Sequence, residues 1–284
     1  MTLRLLLSAL LLSVASLHGD DSSMNEGAYG PEPRGALSSD ESIVRMESEK
    51  ITVRFGKKAS EVTARFVFRS AKPDAPARQL VGFPDFGAAF KEAERRDPKG
   101  DAPWQPHENV SGEIENLRTF VDNEEVPSKL DYGYIVDDEK VGWKPGTPKD
   151  GTLMAWHTLW VTFPPKTDVV VERRYRVPNG EMVGGIQTFF YTAVTGANWR
   201  GTIGRMDVDM TLDGWTVDDL AWEGGKRPQV WESGPYTSPG RKGWEILSPT
   251  HLRFTWDDFE PRDQSDRRDF TLATVGTEKP VRGQ

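Results

Sequence analysis

The chain has 284 residues, a formal net charge of −8 and no cysteine. The lack of thiols excludes thiolate zinc sites, iron–sulfur clusters and cysteine nucleophiles, and an acidic chain without a basic cluster argues against nucleic acid as a partner. Ten Trp and 13 Phe provide too much apolar surface for a disordered chain, and 27 Gly and 20 Pro suit many short strands joined by turns.

The first residues follow the pattern of a secretory signal peptide. Arg4 is the only charge before Asp20, and residues 5–14 form an apolar run that is followed by small residues up to Gly19. This run is shorter than the roughly 20 apolar residues of a membrane span. The alternative to a signal peptide is a buried N-terminal helix. We therefore predict a signal peptide at residues 1–19, a secreted or periplasmic protein, and a mature chain without a membrane span.

The following residues change from a polar segment to alternating strands. Residues 20–42 are rich in Gly, Ser and Pro and predict a flexible lead-in. Residues 51–55 and 62–68 alternate apolar with polar side chains on either side of a Gly-Lys-Lys turn, and together they predict a β-hairpin. Residues 86–96 instead place apolar side chains on one helical face and predict a single short helix.

Two predicted loops interrupt the strands, and each carries an aromatic ring. Residues 97–112 are punctuated by Pro and Gly and hold Trp104 and His107. We expect this insertion to be a connecting loop, with a binding loop as the alternative. Residues 137–151 predict a second loop, which holds Trp143.

The most distinctive stretch joins two strands through a glycine-containing turn. Residues 189–191 are three consecutive aromatic residues, which predicts a strand covered on both sides. In the turn that follows, Gly196 and Asn198 are the residues that tolerate positive φ. Trp199 is expected to anchor the turn, with Gly201 letting the ring lie close to the backbone.

The spacing of these elements predicts the fold class. Strands recur at intervals of roughly 8–15 residues with turn residues between them, which indicates an all-β fold, an antiparallel β-sandwich. Pro-Asn-Gly at residues 178–180 is the candidate boundary between an N-terminal β-sandwich module, residues 43–180, and a C-terminal β module packed on it, residues 181–284. A single β domain is the alternative.

The sequence lacks the usual catalytic signatures. It has no Gly-x-Ser-x-Gly elbow, no phosphate-binding loop, no His-Glu-x-x-His and no dinucleotide fingerprint. After the predicted signal peptide the only histidines are His107, His157 and His251, each isolated in sequence. We therefore predict no catalytic residue and no cofactor.

Asp207 and Asp209 are the paired carboxylates that come nearest to a chemical site. They alternate on one side of a predicted strand, roughly 7 Å apart by strand rise. Such pairs serve glycoside hydrolysis or bind calcium. We favour a solvated strand face on which the two carboxylates pair with Arg205. We therefore predict no metal site and keep Asp207 and Asp209 only as weak candidates for metal ligands.

Tryptophans in loops are the candidates for ligand binding, because exposed indole rings stack on sugars. Trp104, Trp143 and Trp244 lie in Gly- and Pro-rich stretches, and His107 is close in sequence to the first of them. The tryptophans of the apolar strands are instead expected in the core, and they are Trp156, Trp160, Trp199 and Trp256.

Two motifs carry a family resemblance. Residues 46–53 read Met-Glu-Ser-Glu-Lys-Ile-Thr-Val, and residues 195–203 read Thr-Gly-Ala-Asn-Trp-Arg-Gly-Thr-Ile. In this order, behind a signal peptide, they resemble a family of exported bacterial proteins catalogued as domain of unknown function number 4424. The resemblance implies an exported β-rich protein without an assigned activity, and it carries over no catalytic residue.

Three functions follow as hypotheses. The leading one is an exported, non-enzymatic β-sandwich protein that binds or scaffolds an envelope protein or a glycan. The second is a carbohydrate-binding module that uses the loop tryptophans. The third is a secreted hydrolase that uses paired carboxylates such as Asp207 and Asp209.

Overall fold

The computed structural model describes residues 17–19, 21–34, 43–72, 74–97, 99, 113–138, 142–182, 184–220, 245–261 and 270–275. The strands within these residues are numbered in chain order as β1 (Leu17–Gly19), β2 (Ser22–Gly27), β3 (Gly30–Pro33), β4 (Val44–Phe55), β5 (Ala59–Ser70), β6 (Ala77–Pro84), β7 (Glu115–Val121), β8 (Glu124–Val126), β9 (Lys129–Asp138), β10 (Gly142–Pro145), β11 (Thr152–Phe163), β12 (Asp168–Pro178), β13 (Gly180–Met182), β14 (Ile186–Thr192), β15 (Ile203–Leu212), β16 (Glu245–Ser248), β17 (His251–Phe259) and β18 (Phe270–Ala273). The α-helix α1 is Phe86–Arg96, and short 3-10 helices cover Val194–Asn198 and Val217–Asp219.

The largest sheet has the strand order β16-β17-β15-β4-β5-β12-β7-β8. Its pairings are antiparallel except for β15 against β4, which is parallel. On β15 the side chains of Met206, Val208, Met210 and Leu212 are buried, while the residues between them reach the surface or lie partly buried. The alternation of apolar and polar residues that the sequence predicts for β15 therefore separates the core side of this sheet from its charged side.

A second sheet has the order β10-β9-β11-β6-β2-β3 and packs on the first. Its residues Val81, Phe83, Val161 and Phe163 share one buried cluster with residues of the larger sheet. Each fully buried Phe contributes about 1.5–3 kcal/mol relative to an exposed one. The prediction of an all-β sandwich is confirmed, and apolar packing holds it together without disulfides.

A third sheet contributes Phe189, Tyr191, Phe270 and Leu272 to the same buried cluster. It has the path β1-β14-β13, with β18 also paired to β14. Phe189, Phe190 and Tyr191 of β14 are all buried, as their unbroken aromatic run predicts. β1 pairs parallel with β14 through residues 17–19, the last residues of the predicted signal peptide.

The hairpin of β2 and β3 forms one end of the second sheet, and β3 also approaches β9 near the other end. Glycine is required where β3 crosses β9. A Cβ on Gly30 would lie 1.9 Å from the carbonyl oxygen of Tyr132, and a Cβ on Gly133 would lie 2.2 Å from the carbonyl oxygen of Pro31. Gly30 also has a φ of +113°, which side chains rarely adopt. The hairpin and sheet enclose a smaller buried cluster, which includes Met24, Leu80, Ile135, Trp143, Met154 and Trp156.

The helix lies where it was predicted, at residues 86–96. Asp85 caps it, because its Oδ1 accepts a hydrogen bond from the backbone N–H of Ala88 at 2.9 Å. Hydrogen bonds from Arg95 and Arg96 lower the pKa of Glu92 from 4.5 to about 2. No helix within the described ranges combines the length and the apolar character that a membrane crossing requires.

Several local expectations differ from the structure. The lead-in at residues 20–42 contains β2 and β3, whose polar residues Ser22 and Ser23 are buried against the second sheet. The predicted loop at residues 137–151 contains the end of β9 and all of β10. Strands from both sides of the predicted module boundary share one sheet, since β15 pairs with β4. The pairings of β2 with β6 and of β15 with β4 join residues far apart in the chain, so local sequence patterns did not reveal them.

Candidate functional site

A groove of about 510 Å³ lies in the second sheet, between the β2–β3 hairpin and strands β6, β9 and β11. This volume is within the range of small-molecule sites, roughly 300–1,000 Å³. The lining residues come from the hairpin, from β6, from the turn before β9, and from β9 and β11; they are Glu26, Gly27, Gly30, Pro31, Leu80, Pro127, Ser128, Lys129, Asp131, Thr158, Leu159 and Trp160. We call this the Trp160 groove.

Trp160 is the exposed aromatic residue of the groove, with 44% of its surface accessible. Its neighbours Leu159 and Val161 point into the sandwich, so strand alternation turns Trp160 outward. The guanidinium of Arg78 lies 4.6 Å from the centre of its ring, at a distance that gives a cation–π interaction. Arg78 is not among the residues that line the groove, so its guanidinium does not fill the groove. We call the ring face opposite Arg78 the free face of Trp160.

Asp131 supplies an oriented carboxylate next to this ring. Its Oδ2 accepts a hydrogen bond of 2.8 Å from the hydroxyl of Thr158, and its Oδ1 pairs with the ammonium of Lys129. The side chain of Asp131 is 24% exposed while that of Lys129 is 78% exposed. The carboxylate is thus held by the sheet, and the exposed ammonium is free to change conformation.

The opposite wall of the groove belongs to the β2–β3 hairpin. Glu26 lies there as an exposed residue of β2, and the close approach of Gly30 to the backbone of β9 fixes the position of the hairpin. The groove therefore combines one indole face, two carboxylates, one ammonium and the hydroxyls of Ser128 and Thr158. Such a lining can stack on a flat apolar surface and accept several hydrogen bonds from the same ligand.

The tryptophans are distributed differently from the prediction. Trp143, expected in a loop, lies in β10 and is 6% exposed, with its ring edge-on to Phe86 and Trp156 at centroid distances of 5.6 and 5.9 Å. Trp160, expected in the core, is exposed. Trp104, His107 and Trp244 lie outside the described residues.

The distinctive stretch at residues 194–201 is a buried structural anchor. Residues Val194–Asn198 form a 3-10 helix, and the positive φ falls at Gly201, with a value of +65°, and at neither Gly196 nor Asn198. A Cβ on Gly201 would meet nothing within 4 Å, so this glycine serves the backbone conformation and not a close ring contact. The expectation about these glycines and this asparagine was therefore wrong in detail.

Trp199 ties this stretch to the N-terminal part of the described chain. The indole is 1% exposed and lies 4.4 Å from the ring of Phe68 by centroids. Its Nε1–H donates a hydrogen bond of 2.7 Å to the backbone carbonyl of Asp21, and the side-chain amide of Asn198 donates to the hydroxyl of Ser22 at 2.9 Å. Trp199 is therefore a buried residue that joins this stretch to residues 21 and 68.

A fully buried ion pair adjoins this anchor. Arg173 of β12 donates to Asp21 Oδ1 from Nε at 3.1 Å and from Nη2 at 2.9 Å, and to the hydroxyl of Thr119 at 2.7 Å. Both charged side chains have no exposed surface. Burial raises the pKa of Asp21, and the neighbouring charge of Arg173 opposes this rise. The pair lies within the sandwich, away from the Trp160 groove.

Asp207 and Asp209 lie on the outer, charged side of the largest sheet. Hydrogen bonds from Arg205, with a further one from Thr255, lower the pKa of Asp207. Burial acts to raise the pKa of Asp209, but hydrogen bonds from Arg253 and His251 outweigh it and lower this pKa. Both carboxylates are thus held in the ionised form by neighbouring cations.

His157 and His251 each face a carboxylate, in different sheets. His157 Nε2 lies 3.1 Å from Asp85 Oδ2 in the second sheet, and His251 Nε2 lies 2.8 Å from Asp209 Oδ1 in the largest one. Among the residues that the structure describes, no three His, Asp or Glu side chains gather closely enough to hold a metal ion.

A smaller cleft of about 320 Å³ lies at the β4–β5 turn. Its residue Arg54 pairs with Glu61 and with Asp213, and its Lys57 lies over the ring of Trp215 at 4.9 Å. The lining contains no aromatic residue. The lining holds four cationic residues against two carboxylates, both of which pair with Arg54. The Trp160 groove is larger and exposes an indole ring, so it is the stronger candidate for a ligand that stacks on an aromatic residue.

Comparison with known proteins yields similarity of structure only. No protein-family model matches the chain, and no curated protein matches it. A solved structure from Legionella pneumophila, whose name provisionally assigns it to the nutrient binding proteins, matches with a TM-score of 0.54 and 14% sequence identity over 92% of this chain and 71% of that one. An M1 zinc metallopeptidase from Deinococcus radiodurans has a TM-score of 0.36 and 7% identity over 83% of this chain and 43% of that one, which is too low to carry an argument.

Proposed function

We propose that the chain is a non-enzymatic binding protein of the cell envelope and that its ligand occupies the Trp160 groove. The observation that carries this proposal is the exposed indole of Trp160 in a groove of ligand size, next to the carboxylate of Asp131, which Thr158 holds in place. The name of the structurally similar Legionella protein agrees with a binding role.

Export is the second part of the proposal. It is supported by the apolar run at residues 5–14 behind Arg4 and by the resemblance of residues 195–203 to an exported bacterial family. Expression in a bacterial host followed by fractionation tests it. We expect a periplasmic or secreted product that lacks about the first 19 residues by mass spectrometry, and a full-length cytosolic product would refute export.

The state of the carboxylates favours binding over hydrolysis. A hydrolase that uses paired acids needs one of them protonated near neutral pH, which requires a raised pKa. Asp207 and Asp209 instead have lowered pKa values, because cations and hydrogen-bond donors surround them. The hydrolase hypothesis therefore has no general acid in this pair.

A fluorescence screen tests binding and its location together. The purified chain is titrated with a panel of sugars, amino acids and polyamines, and each positive mixture is checked for product by chromatography. We expect a saturable change in tryptophan emission without turnover, lost in Trp160→Phe and kept in Trp215→Phe. The second variant is a matched control, because Trp215 also lies under a cation, at the other cleft. Product formation would refute the non-enzymatic proposal, and an unchanged response in Trp160→Phe would refute the location.

A further inference from the structure

We infer that the Trp160 groove binds a neutral sugar, with the apolar face of a pyranose ring on the free face of Trp160 and its hydroxyls donating to Asp131 and Glu26. This inference rests on the proposed binding function and adds the chemical class of the ligand. Three features of the groove decide the class: the cation that already lies on one face of the indole, the sign of the charges around the ring, and the mixture of apolar and polar residues in the lining.

The indole already has a cation on one face. The guanidinium of Arg78 lies 4.6 Å from the ring centre of Trp160, and a cation there draws on the negative potential of the ring. A second cation on the opposite face would meet a weakened potential and the repulsion of Arg78. The C–H face of a pyranose is apolar and uncharged, so it stacks on the free face without that cost.

The charges in the groove disfavour anions. Glu26 and Asp131 are carboxylates, and Lys129 is the only cationic residue of the lining and already pairs with Asp131. A phosphate or carboxylate ligand would therefore face a net negative lining. Sugar hydroxyls are donors, and ionised carboxylates accept such hydrogen bonds more strongly than neutral groups do.

The lining mixes apolar and polar surface. Its apolar residues include Leu80, Leu159, Trp160 and Pro127, and polar side chains from the hairpin and β9 lie among them. Leu80 is 5% exposed and Leu159 is 9% exposed, so the indole is the large apolar side chain that a ligand can reach. A ligand with one apolar face and a polar rim matches this distribution.

Isothermal titration calorimetry of the purified chain tests the class. The probes are the neutral disaccharides maltose, cellobiose and N,N′-diacetylchitobiose, with spermidine as the cationic probe and AMP as the anionic aromatic probe. We expect at least one disaccharide to bind and neither charged probe to compete. Trp160→Ala should weaken that binding about three- to tenfold, which corresponds to the loss of a stacking interaction.

Further variants separate stacking from hydrogen bonding. Trp160→Phe keeps a ring and should lose less affinity than Trp160→Ala. Asp131→Asn keeps the shape but removes the charge, and we expect a loss of roughly tenfold, since a hydrogen bond to a charged group is lost. Trp215→Phe should leave the affinity unchanged. Circular dichroism establishes that each variant is folded.

The outcomes distinguish this inference from the proposed function. Binding of spermidine or AMP that depends on Trp160, with no disaccharide binding, overturns the sugar class and leaves a binding groove. Disaccharide binding that Trp160→Ala and Asp131→Asn do not change overturns the assignment of this groove. If no probe binds the chain and the fluorescence screen is also negative, both proposals fail.

Discussion

Replacing Arg173 by Met should destabilise the fold more than any substitution on the charged side of the largest sheet. Arg173 makes two hydrogen bonds to Asp21 and one to Thr119, and neither member of the ion pair has any exposed surface. Met fills a similar volume but leaves the carboxylate of Asp21 buried without its cation. Because Asp21 also joins Trp199 through its backbone carbonyl, the damage would reach the anchor of residues 194–201.

The magnitude follows from the burial of both charges. Removing one partner of a buried ion pair costs about 3–5 kcal/mol. At roughly 2–4 °C per kcal/mol for a domain of about this size, the Tm should fall by about 6–20 °C. Exposed pairs such as Arg69 with Asp168 are screened by solvent and contribute much less to stability, so Arg69→Met is the matched control and should change the Tm far less.

The pH dependence identifies the cause. Burial raises the pKa of Asp21 in the folded state. A carboxyl with a raised pKa adds stability at pH values below its pKa in the unfolded chain, which is near 4, and this stability is lost as the pH rises through its pKa in the folded state. The loss caused by Arg173→Met should therefore be smallest near pH 4 and grow toward pH 8. Adding Asp21→Asn should recover stability at pH 8, since a neutral amide costs less to bury than a lone carboxylate.

Urea unfolding followed by circular dichroism, repeated from pH 4 to pH 8, measures these differences. Two results together would show that the charge of Asp21 is not the cause. In the first, the double variant is no more stable than Arg173→Met at pH 8. In the second, the free energy of unfolding that Arg173→Met loses is the same at every pH. A fall in Tm as small as that of Arg69→Met would refute the buried pair itself.

The remaining predictions concern the hairpin and the helix. Gly30→Ala should cost about 1–3 kcal/mol because of its positive φ and the carbonyl in its way, and it should weaken ligand binding as the hairpin moves. Gly201→Ala, whose Cβ would be unobstructed, should leave binding unchanged, and equal effects on binding would contradict this role of the hairpin. Glu92→Gln should lower stability at neutral pH but not near pH 2. The reason is that the pKa of Glu92 is lowered to about 2, and the stability that this carboxylate contributes is lost as the pH falls from about 4.5 through 2. Urea unfolding at both pH values measures this, and a pH-independent effect of Glu92→Gln would argue against its pairing with Arg95 and Arg96.

Local patterns in the sequence predict much of the fold. The β4–β5 hairpin, the helix at residues 86–96 and the alternation on β15 all follow from periodicities within one element. The β2–β3 hairpin does not, because its residues 22–27 are polar and are ordered by contacts with β6. Nor does the parallel pairing of β15 with β4, which joins residues far apart in the chain.

The candidate site was missed for a related reason. Trp143 and Trp160 both lie in strands, and only the register of those strands decides which ring reaches the surface. The alternation of Leu159 and Val161 around Trp160 was a signal that could have placed this ring outward. Glu26 and Asp131 carry no such signal, because the approach of β3 to β9 brings them to one groove.

The central claim is that the ligand contacts the free face of Trp160. An NMR titration of the chain with ¹⁵N-labelled indoles tests it directly, once Trp160→Phe has identified the Trp160 resonance and a disaccharide that binds is in hand. We predict a saturable shift of the Trp160 indole N–H, with the resonances of the buried Trp143 and Trp156 nearly unchanged. Shifts confined to other indoles, such as those of Trp104 or Trp244, would contradict the account.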